Sequence, residues 1–114
     1  MTEDRIRVEG RAGAKPGQRV LRLVGPLNLV TVPEFLATVR NEIFPTLILE
    51  MSEVTMLDSA GVGSLIQILT SQQKAGHKMA LAGLTERARS VLELTRVGRL
   101  FAIFPSAAEA EASF

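Results

Sequence analysis

The chain of 114 residues contains no cysteine, tryptophan or tyrosine, and its only histidine is His77. The absence of cysteine excludes disulfide bonds and thiol chemistry, and it fits a reducing cytoplasm, which is the location we expect. One histidine without cysteine leaves too few of the usual ligands for a zinc site. No apolar run approaches the roughly 18 residues of a membrane span, and no basic-then-apolar leader is present, so we expect neither membrane insertion nor secretion.

An excess of charge of one sign is also missing, since 13 basic residues face 12 acidic ones for a net charge of +1. Nucleic-acid binding favours a stronger basic excess and aromatic side chains that stack on bases, and the only aromatic residues here are five phenylalanines. We therefore expect no nucleic-acid partner. With 46% hydrophobic and 22% charged residues, the composition is typical of one globular domain with a single core.

Apolar periodicity predicts strands that alternate with helices. Residues 5–11 and 19–25 alternate with period two and predict an antiparallel hairpin, which Gly25-Pro26 would end. Apolar stretches at 46–51, 79–84 and 100–104 predict three further strands. Helices are predicted to begin near Thr31, Ser59, Thr85 and Ser106. The order β-β-α-β-α-β-α-β-α indicates a single α/β domain over residues 1–114, with a mixed five-stranded sheet and about four helices.

Helix caps and core positions follow from the same pattern. Thr31 with Glu34, and Ser106 with Glu109, each predict a capping box, in which the hydroxyl accepts the glutamate amide hydrogen and the glutamate reaches back. Thr85 is predicted to cap the third helix. The side chains that we expect to be largely buried are Leu49, Leu65, Leu69, Leu81, Val91 and Leu92.

The stretch MLDSAGVG at residues 56–63 joins a buried strand to an amphipathic helix. Apolar residues recur at i, i+3, i+4 and i+7 from Val62, which indicates a helix face packed on a core. Asp58 is placed to cap this helix, and it is also placed to hydrogen-bond the hydroxyl of Ser59. A small hydroxyl at a helix N-terminus beside Gly61 and Gly63 suits an anion, and a covalent phosphate there would act as a switch. On composition alone, a purely capping role for Ser59 at the helix start is the simpler interpretation.

Enzymatic interpretations of this stretch do not fit. A dinucleotide-binding G-x-G-x-x-G from Gly61 needs glycine where Ile66 stands, and no P-loop lysine follows. A hydrolase nucleophile elbow, G-x-S-x-G, needs glycine where Leu57 stands. His77 lies near the far end of the helix and is interpreted as an exposed helix-end residue. We expect no catalytic activity and no cofactor.

The run Asp58-Ser59-Ala60-Gly61-Val62-Gly63 resembles the D-S-x-G-[LV]-G signature of the bacterial anti-sigma-factor antagonists of the STAS-domain family. The order of elements also matches, from residue 5 to about residue 112. In that family the serine after the aspartate is phosphorylated, which implies phosphorylation at Ser59. The resemblance implies that the unphosphorylated form binds a serine-kinase anti-sigma factor and releases its sigma factor. Phosphorylation would end this binding, and a PP2C-type phosphatase would restore it.

The resemblance also implies a partner-binding surface built from two segments. Its predicted members are Asn28, Thr31, Asp58, Ser59, Ala60, Gly61, Val62 and Gly63. Asn28 stands where many family members carry aspartate, and Ala60 where many carry serine or threonine. The alternative is a scaffold role, as a STAS subunit of a stressosome or of a transporter-associated complex. An antagonist should be monomeric or form a homodimer, whereas a scaffold subunit should form large assemblies.

Two groups of arginines stand apart from this motif. Those of the predicted hairpin are interpreted as a solvated outer face that protects the sheet edge from aggregation. A second group falls on and after the third predicted helix, where it could meet an acidic partner. Its members are Arg87, Arg89, Arg96 and Arg99.

Overall fold

The computed structural model describes residues 4–114, so the first three residues of the predicted 1–114 domain lie outside it. Within the described part, five strands and four helices follow one another in the predicted order. The strands are β1 Arg7–Ala12, β2 Gln18–Leu27, β3 Thr46–Leu57, β4 Lys78–Ala82 and β5 Ala102–Phe104. The helices are α1 Val32–Val39, α2 Ser59–Lys74, α3 Glu86–Leu94 and α4 Ala107–Ser113, with a 3-10 helix at Gly98–Leu100.

The strands form one sheet in the order β1-β2-β3-β4-β5. β1 pairs antiparallel with β2, and the other three pairings are parallel. Each parallel connection contains one helix, and all three connections step in the same direction across the sheet. Crossovers of one hand that step in one direction place their helices on one face of the sheet. The predicted mixed sheet of the α/β class is confirmed.

Apolar side chains cover both faces of the sheet. On one face, α1, α2 and α3 pack on a large cluster that includes Leu21 and Leu81. On the other face, Ala110 of α4 joins a smaller cluster with Ile48 and Ala80. The central strands are therefore buried on both sides, and this is why their sequences are nearly continuous apolar runs.

The predicted core is confirmed except at one position. The buried members are Leu49, Leu65, Leu69, Leu81 and Leu92. Val91 packs against the main core cluster but is only partly buried. The reason is the orientation of α3, which presents Ala88 and Leu92 to the sheet and leaves Val91 at the side of that contact.

β2 and β3 are both longer than predicted. β2 continues through Gly25 and Pro26 to Leu27, and β3 continues past residue 51 to Leu57. The pairing register shifts between Gly25 and Pro26, and Gly25 adopts a φ of +113°, so the strand bends at a bulge without ending. A Cβ at Gly25 would also meet the carbonyl oxygen of Arg5. The extension brings Leu27 and Leu57 side by side at the edge of the sheet.

The arginines of the N-terminal region lie at the surface, as interpreted, and most of them are paired with carboxylates. The pairs are Arg5–Glu34, Arg11–Glu111, Arg19–Glu42 and Arg22–Glu53, with N···O distances of 2.7, 2.9, 3.1 and 3.1 Å. The two pairs with both partners exposed, Arg5–Glu34 and Arg22–Glu53, stabilise the fold only slightly, because water screens their charges. The main effect of the four pairs is to leave little uncompensated positive charge on this side of the molecule.

Helix α4 is attached to the end of β1 and to the β1–β2 loop by hydrogen bonds of Glu111, whose side chain is buried. Its carboxylate accepts hydrogen bonds from both terminal nitrogens of Arg11, at 2.9 and 3.0 Å, and from the Ala14 amide at 2.8 Å. The Arg11 hydrogen bonds hold the pKa of Glu111 below its usual value despite burial, which acts the other way, and the Ala14 hydrogen bond adds to the lowering.

This depressed pKa predicts an acid-sensitive attachment of α4. Ionised Glu111 stabilises the fold above the pKa of the unfolded state, and this contribution is lost as the pH falls through the lower folded-state pKa. We expect Glu111→Gln to lower the melting temperature at neutral pH and to flatten its decline on acidification below about pH 5. Thermal melts across this range give the comparison. The exposed Glu109→Gln on the same helix is the control. An equally steep decline in Glu111→Gln and the wild type would contradict the expectation.

Candidate functional site

The candidate site lies where β2 and β3 end side by side. Leu27 and Leu57 are paired across the sheet, and each is followed directly by a polar residue, Asn28 or Asp58. Carboxyl ends of neighbouring parallel strands meet at one edge of a sheet, which is where ligands commonly bind in α/β folds. The two predicted segments, around Asn28 and around Ser59, are therefore brought together.

The side chain of Asp58 connects the two segments. One carboxylate oxygen accepts the Gly61 amide hydrogen at 2.8 Å and so caps α2, as predicted. The other oxygen accepts the Leu29 amide hydrogen at 3.0 Å from the loop after β2. The structure shows this capping role and not the alternative in which Asp58 holds the Ser59 hydroxyl. No bond between these two side chains occurs within residues 4–114.

Ser59 is the first residue of α2 and is exposed to solvent. In the described part of the chain its hydroxyl makes no hydrogen bond, and its amide and that of Ala60 have no acceptor. The next amides along the helix are occupied, since Gly61 and Val62 donate to the side-chain and main-chain oxygens of Asp58. An accessible hydroxyl thus lies beside free N–H groups at the positive end of the α2 dipole.

Gly61 and Gly63 have different structural roles. Gly61 is buried, and a Cβ there would meet the carbonyl oxygen of Leu27 and lie 2.8 Å from Leu57 Cδ1. The first turn of α2 can pack against the end of β2 only because this residue has no side chain. Gly63 is exposed, and a Cβ there would have no neighbour within 4 Å. The fold therefore requires Gly61 and does not require Gly63.

The loop of residues 28–31 is held by its own polar side chains. Asn28 Oδ1 accepts the amide hydrogens of Val30 and Thr31 at 3.0 and 3.1 Å. Thr31 Oγ1 donates to the Pro26 carbonyl at 2.8 Å and accepts the Asn28 amide hydrogen at 3.0 Å. The predicted capping box at Thr31 is wrong, because its hydroxyl is already used within this loop and Glu34 instead pairs with Arg5.

The loop presents two apolar side chains that sequence reasoning missed. Leu29 and Val30 are 72% and 81% exposed, and Met56 near them is 47% exposed. Asn28 Nδ2 lies 3.8 Å from the sulfur of Met56, which brings the end of β3 next to the loop. The Asn28 side-chain turn is the signal that would have indicated an ordered loop here, since Asn favours such local turns. We call Leu29, Val30 and Met56 the apolar patch.

The remaining predicted site residues divide between surface and core. Ala60 and Asn28 are half-buried, whereas Thr31 and Val62 are buried. Val62 belongs to the main core cluster and anchors α2. Of the eight predicted residues, the exposed ones are Ser59 and Gly63.

His77 lies beyond the other end of α2 and is half-buried, so the prediction of an exposed residue is wrong. Gly76 adopts a φ of +74° and turns the chain back, and the His77 amide then donates to the Gln72 carbonyl at 2.8 Å. This turn places His77 on the wall of a cavity of about 290 Å³ between α1 and α2. Among residues 4–114 there is no cluster of acidic or histidine side chains that could hold a metal ion. No helix of this part is long and apolar enough to cross a membrane.

Comparison with known proteins gives the family. Residues 5–110 match the model of the STAS domain. The chain belongs to the STAS-domain family. A Thermotoga maritima protein described provisionally as an anti-sigma factor antagonist is 35% identical to this STAS domain over 77 residues. The match covers 68% of this chain and 65% of the relative, so the STAS domain spans just under two thirds of that protein's length.

Solved structures share the fold over most of their length. A Thermotoga maritima protein, also described provisionally as an anti-sigma factor antagonist, has a TM-score of 0.84 at 24% identity, with 93% of this chain and 92% of that one covered. The Bacillus cell fate determinant SpoIIAA in its phosphorylated form has a TM-score of 0.71 at 18% identity, covering 94% and 98%. A sulfate transporter family protein from Wolinella succinogenes has a TM-score of 0.73 at 21% identity, covering 87% of each chain. At these identities the fold is shared, and function must be argued from the site.

The two glycines of the motif provide a matched test of this geometry. We expect Gly61→Ala to lower the free energy of unfolding by about 1–3 kcal/mol, because the new methyl group would meet a backbone carbonyl that has little room to shift. Gly63→Ala should be neutral or stabilising by up to about 1 kcal/mol, because alanine is the better helix former and the space is open. Urea denaturation measures both. Equal stability of the two variants would contradict the packing of α2 on β2.

Proposed function

We propose that this STAS domain is an anti-sigma-factor antagonist that binds a serine-kinase anti-sigma factor and is released when Ser59 is phosphorylated. The observation that carries the proposal is the exposed, unbonded Ser59 hydroxyl directly after Asp58, whose side chain also holds the loop that carries the exposed Leu29 and Val30. The description of the Thermotoga maritima relative supports the role, and the existence of a phosphorylated structural neighbour supports the mode of regulation.

Binding of the unphosphorylated form would use the apolar patch as its anchor. Leu29 and Val30 are almost fully exposed, and covering such side chains is favourable by roughly 25 cal/mol per Å² of apolar area. The Asp58 and Asn28 hydrogen bonds order the loop before any partner arrives. A partner therefore loses less conformational entropy on binding than it would with a mobile loop. Ser59 and Gly63, which the fold leaves accessible, would lie within the same contact.

Phosphorylation would act on the interface rather than on the fold. The kinase transfers the γ-phosphoryl group of ATP to Ser59 Oγ, the hydroxyl proton passes to a base of the kinase, and ADP is the other product. The phosphate adds about −1.5 to −2 charges. At the α2 N-terminus these charges meet free amides and the positive end of the helix dipole, so the folded state tolerates them.

The same charges oppose the complex. The phosphate must lose water beside the apolar patch, and removing an unpaired charge from water at an interface costs several kcal/mol. Since every 1.4 kcal/mol is a factor of ten, we expect affinity to fall by about 100-fold or more. Dephosphorylation by a PP2C-type phosphatase would restore the apolar surface and complete the cycle. This role is one of binding, and the domain supplies only the acceptor hydroxyl.

Substitutions at Ser59 test the proposal. Ser59→Ala should bind the cognate kinase with near wild-type affinity and should accept no phosphate. Ser59→Asp should bind about 100-fold more weakly or worse, with an unchanged circular dichroism spectrum and a melting temperature within a few degrees of wild type. Calorimetric titration and thermal melts separate loss of binding from loss of folding. Ser90→Asp adds the same charge at an exposed serine on α3 and is the control.

Two results would contradict the proposal. One is retained phosphorylation of Ser59→Ala, which would show that another residue is the acceptor. Ser64 is unsuited as an acceptor, because it is buried and its hydroxyl donates to the Gly61 carbonyl at 2.6 Å. The other is wild-type kinase affinity in Ser59→Asp. Light scattering adds an independent check on the scaffold alternative. Large assemblies of the isolated chain would favour that alternative, whereas an antagonist should be monomeric or dimeric.

A further inference from the structure

A second surface lies where α3 ends beside the edge strand β5. It is a cavity of about 460 Å³, open to solvent, which we call the arginine groove. Its apolar and basic lining residues are Leu84, Leu92, Ile103, Arg89, Arg96 and Arg99. Glu93 also contributes to the lining, so three arginines face one carboxylate and the net charge is +2. The groove shares no residue with the site around Ser59.

The arginines of the groove lack the partners that the N-terminal arginines have. Arg5, Arg11 and Arg19 each lie within 3.1 Å of a carboxylate oxygen. Within residues 4–114, the side chains of Arg89, Arg96 and Arg99 make no ion pair and no hydrogen bond. All three are exposed, and a guanidinium group offers several N–H donors in a planar arrangement that matches a carboxylate. The groove therefore presents unused donors around an apolar floor.

The backbone at Arg96 is unusual for a residue with a side chain. Arg96 has a φ of +58° and closes α3 in a Schellman motif, in which its amide bonds the Glu93 carbonyl at 3.1 Å and the Val97 amide bonds the Leu92 carbonyl at 3.2 Å. Glycine is the residue that adopts this conformation without steric penalty. The chain instead carries an arginine at a strained position, and that arginine faces the groove.

Two further apolar side chains of this part of the chain are exposed. Leu94 and Leu100, in the same segment, are 83% and 50% exposed. In the part of the chain that the structure describes, the remaining large apolar side chains that are exposed are Ile43 and the three members of the apolar patch. A small anion would occupy only part of a groove of about 460 Å³ and would leave its apolar floor in water. A protein segment is large enough to use the basic rim and the apolar floor together.

We propose that the arginine groove docks an acidic segment of a partner protein, with aspartate or glutamate side chains on the rim arginines and an adjacent leucine, isoleucine or phenylalanine on the floor. Charge complementarity selects the acidic residues, and Leu84, Leu92 and Ile103 accept the apolar anchor. Glu93 disfavours a uniformly acidic ligand such as a nucleic-acid backbone. Because the groove is separate from the Ser59 site, this partner does not have to leave when the kinase binds.

A random peptide library displayed on phage tests the groove without assuming a partner. The library is selected on the immobilised wild-type chain and depleted on the triple variant Arg89→Ala, Arg96→Gly, Arg99→Ala. We expect the recovered peptides to be enriched in acidic residues next to Leu, Ile or Phe. In fluorescence anisotropy with a labelled recovered peptide, Arg96→Gly and Arg99→Ala should each weaken binding about tenfold or more. Raising the salt concentration should weaken it further.

Folding and position are controlled within the same set of variants. Arg96→Gly should melt at or above the wild-type temperature, because glycine relieves the strain at φ +58°, so its loss of binding would not reflect unfolding. Arg87→Ala removes an exposed arginine of the same helix that does not line the groove, and it should change affinity by less than about twofold. Recovered peptides without acidic enrichment would overturn the proposal, and so would a loss of affinity in Arg87→Ala equal to that in Arg99→Ala. A third contrary result would be that no peptide is recovered while the groove binds dodecanoate saturably, since this fatty acid offers a carboxylate and an apolar chain without any protein segment.

Discussion

The carboxylate of Asp58 is the interaction on which the candidate site depends. Its two oxygens accept amide hydrogens from separate segments, Gly61 at the start of α2 and Leu29 in the loop after β2. Hydrogen bonds to a charged acceptor are stronger than those between neutral groups. Together they hold the loop of Leu29 and Val30 against the start of α2, which begins at Ser59, before any partner binds. The proposed function needs this order, because the serine can control only a surface to which it is adjacent.

The signature motif divides into residues that the fold needs and residues that it leaves free. Asp58 caps the helix and fixes the loop, and Gly61 allows α2 to approach the end of β2. Ser59 and Gly63 are exposed, and nothing in the packing within residues 4–114 requires either of them. A purely structural account therefore explains the first pair and not the second. The proposed contact with a kinase supplies the missing reason for Ser59 and Gly63.

Local signals predicted much of the fold, and contacts between distant segments account for what they missed. The strand–helix order, the helix starts and the capping role of Asp58 depend on neighbours in sequence, and they were predicted. The bulge at Gly25 depends on pairing with β3, so the strand looked finished at a glycine and a proline. Thr31 matched a capping box, but the Pro26 carbonyl competes for its hydroxyl in the folded loop. Nothing in the sequence indicates that Leu29 and Val30 are exposed, because an apolar pair before a helix usually packs in the core.

Amide hydrogen exchange in Asp58→Ala, followed by NMR, tests the central role of this carboxylate most directly. In the wild type, the Leu29 amide should be protected even though its side chain is exposed. In Asp58→Ala, the Leu29 and Gly61 amides should exchange about 10- to 100-fold faster, as expected for the loss of a hydrogen bond to a charged group. The amide of Leu49 in the core reports on global unfolding and should change less. If Leu29 kept its protection in Asp58→Ala, the carboxylate would not be what orders the loop.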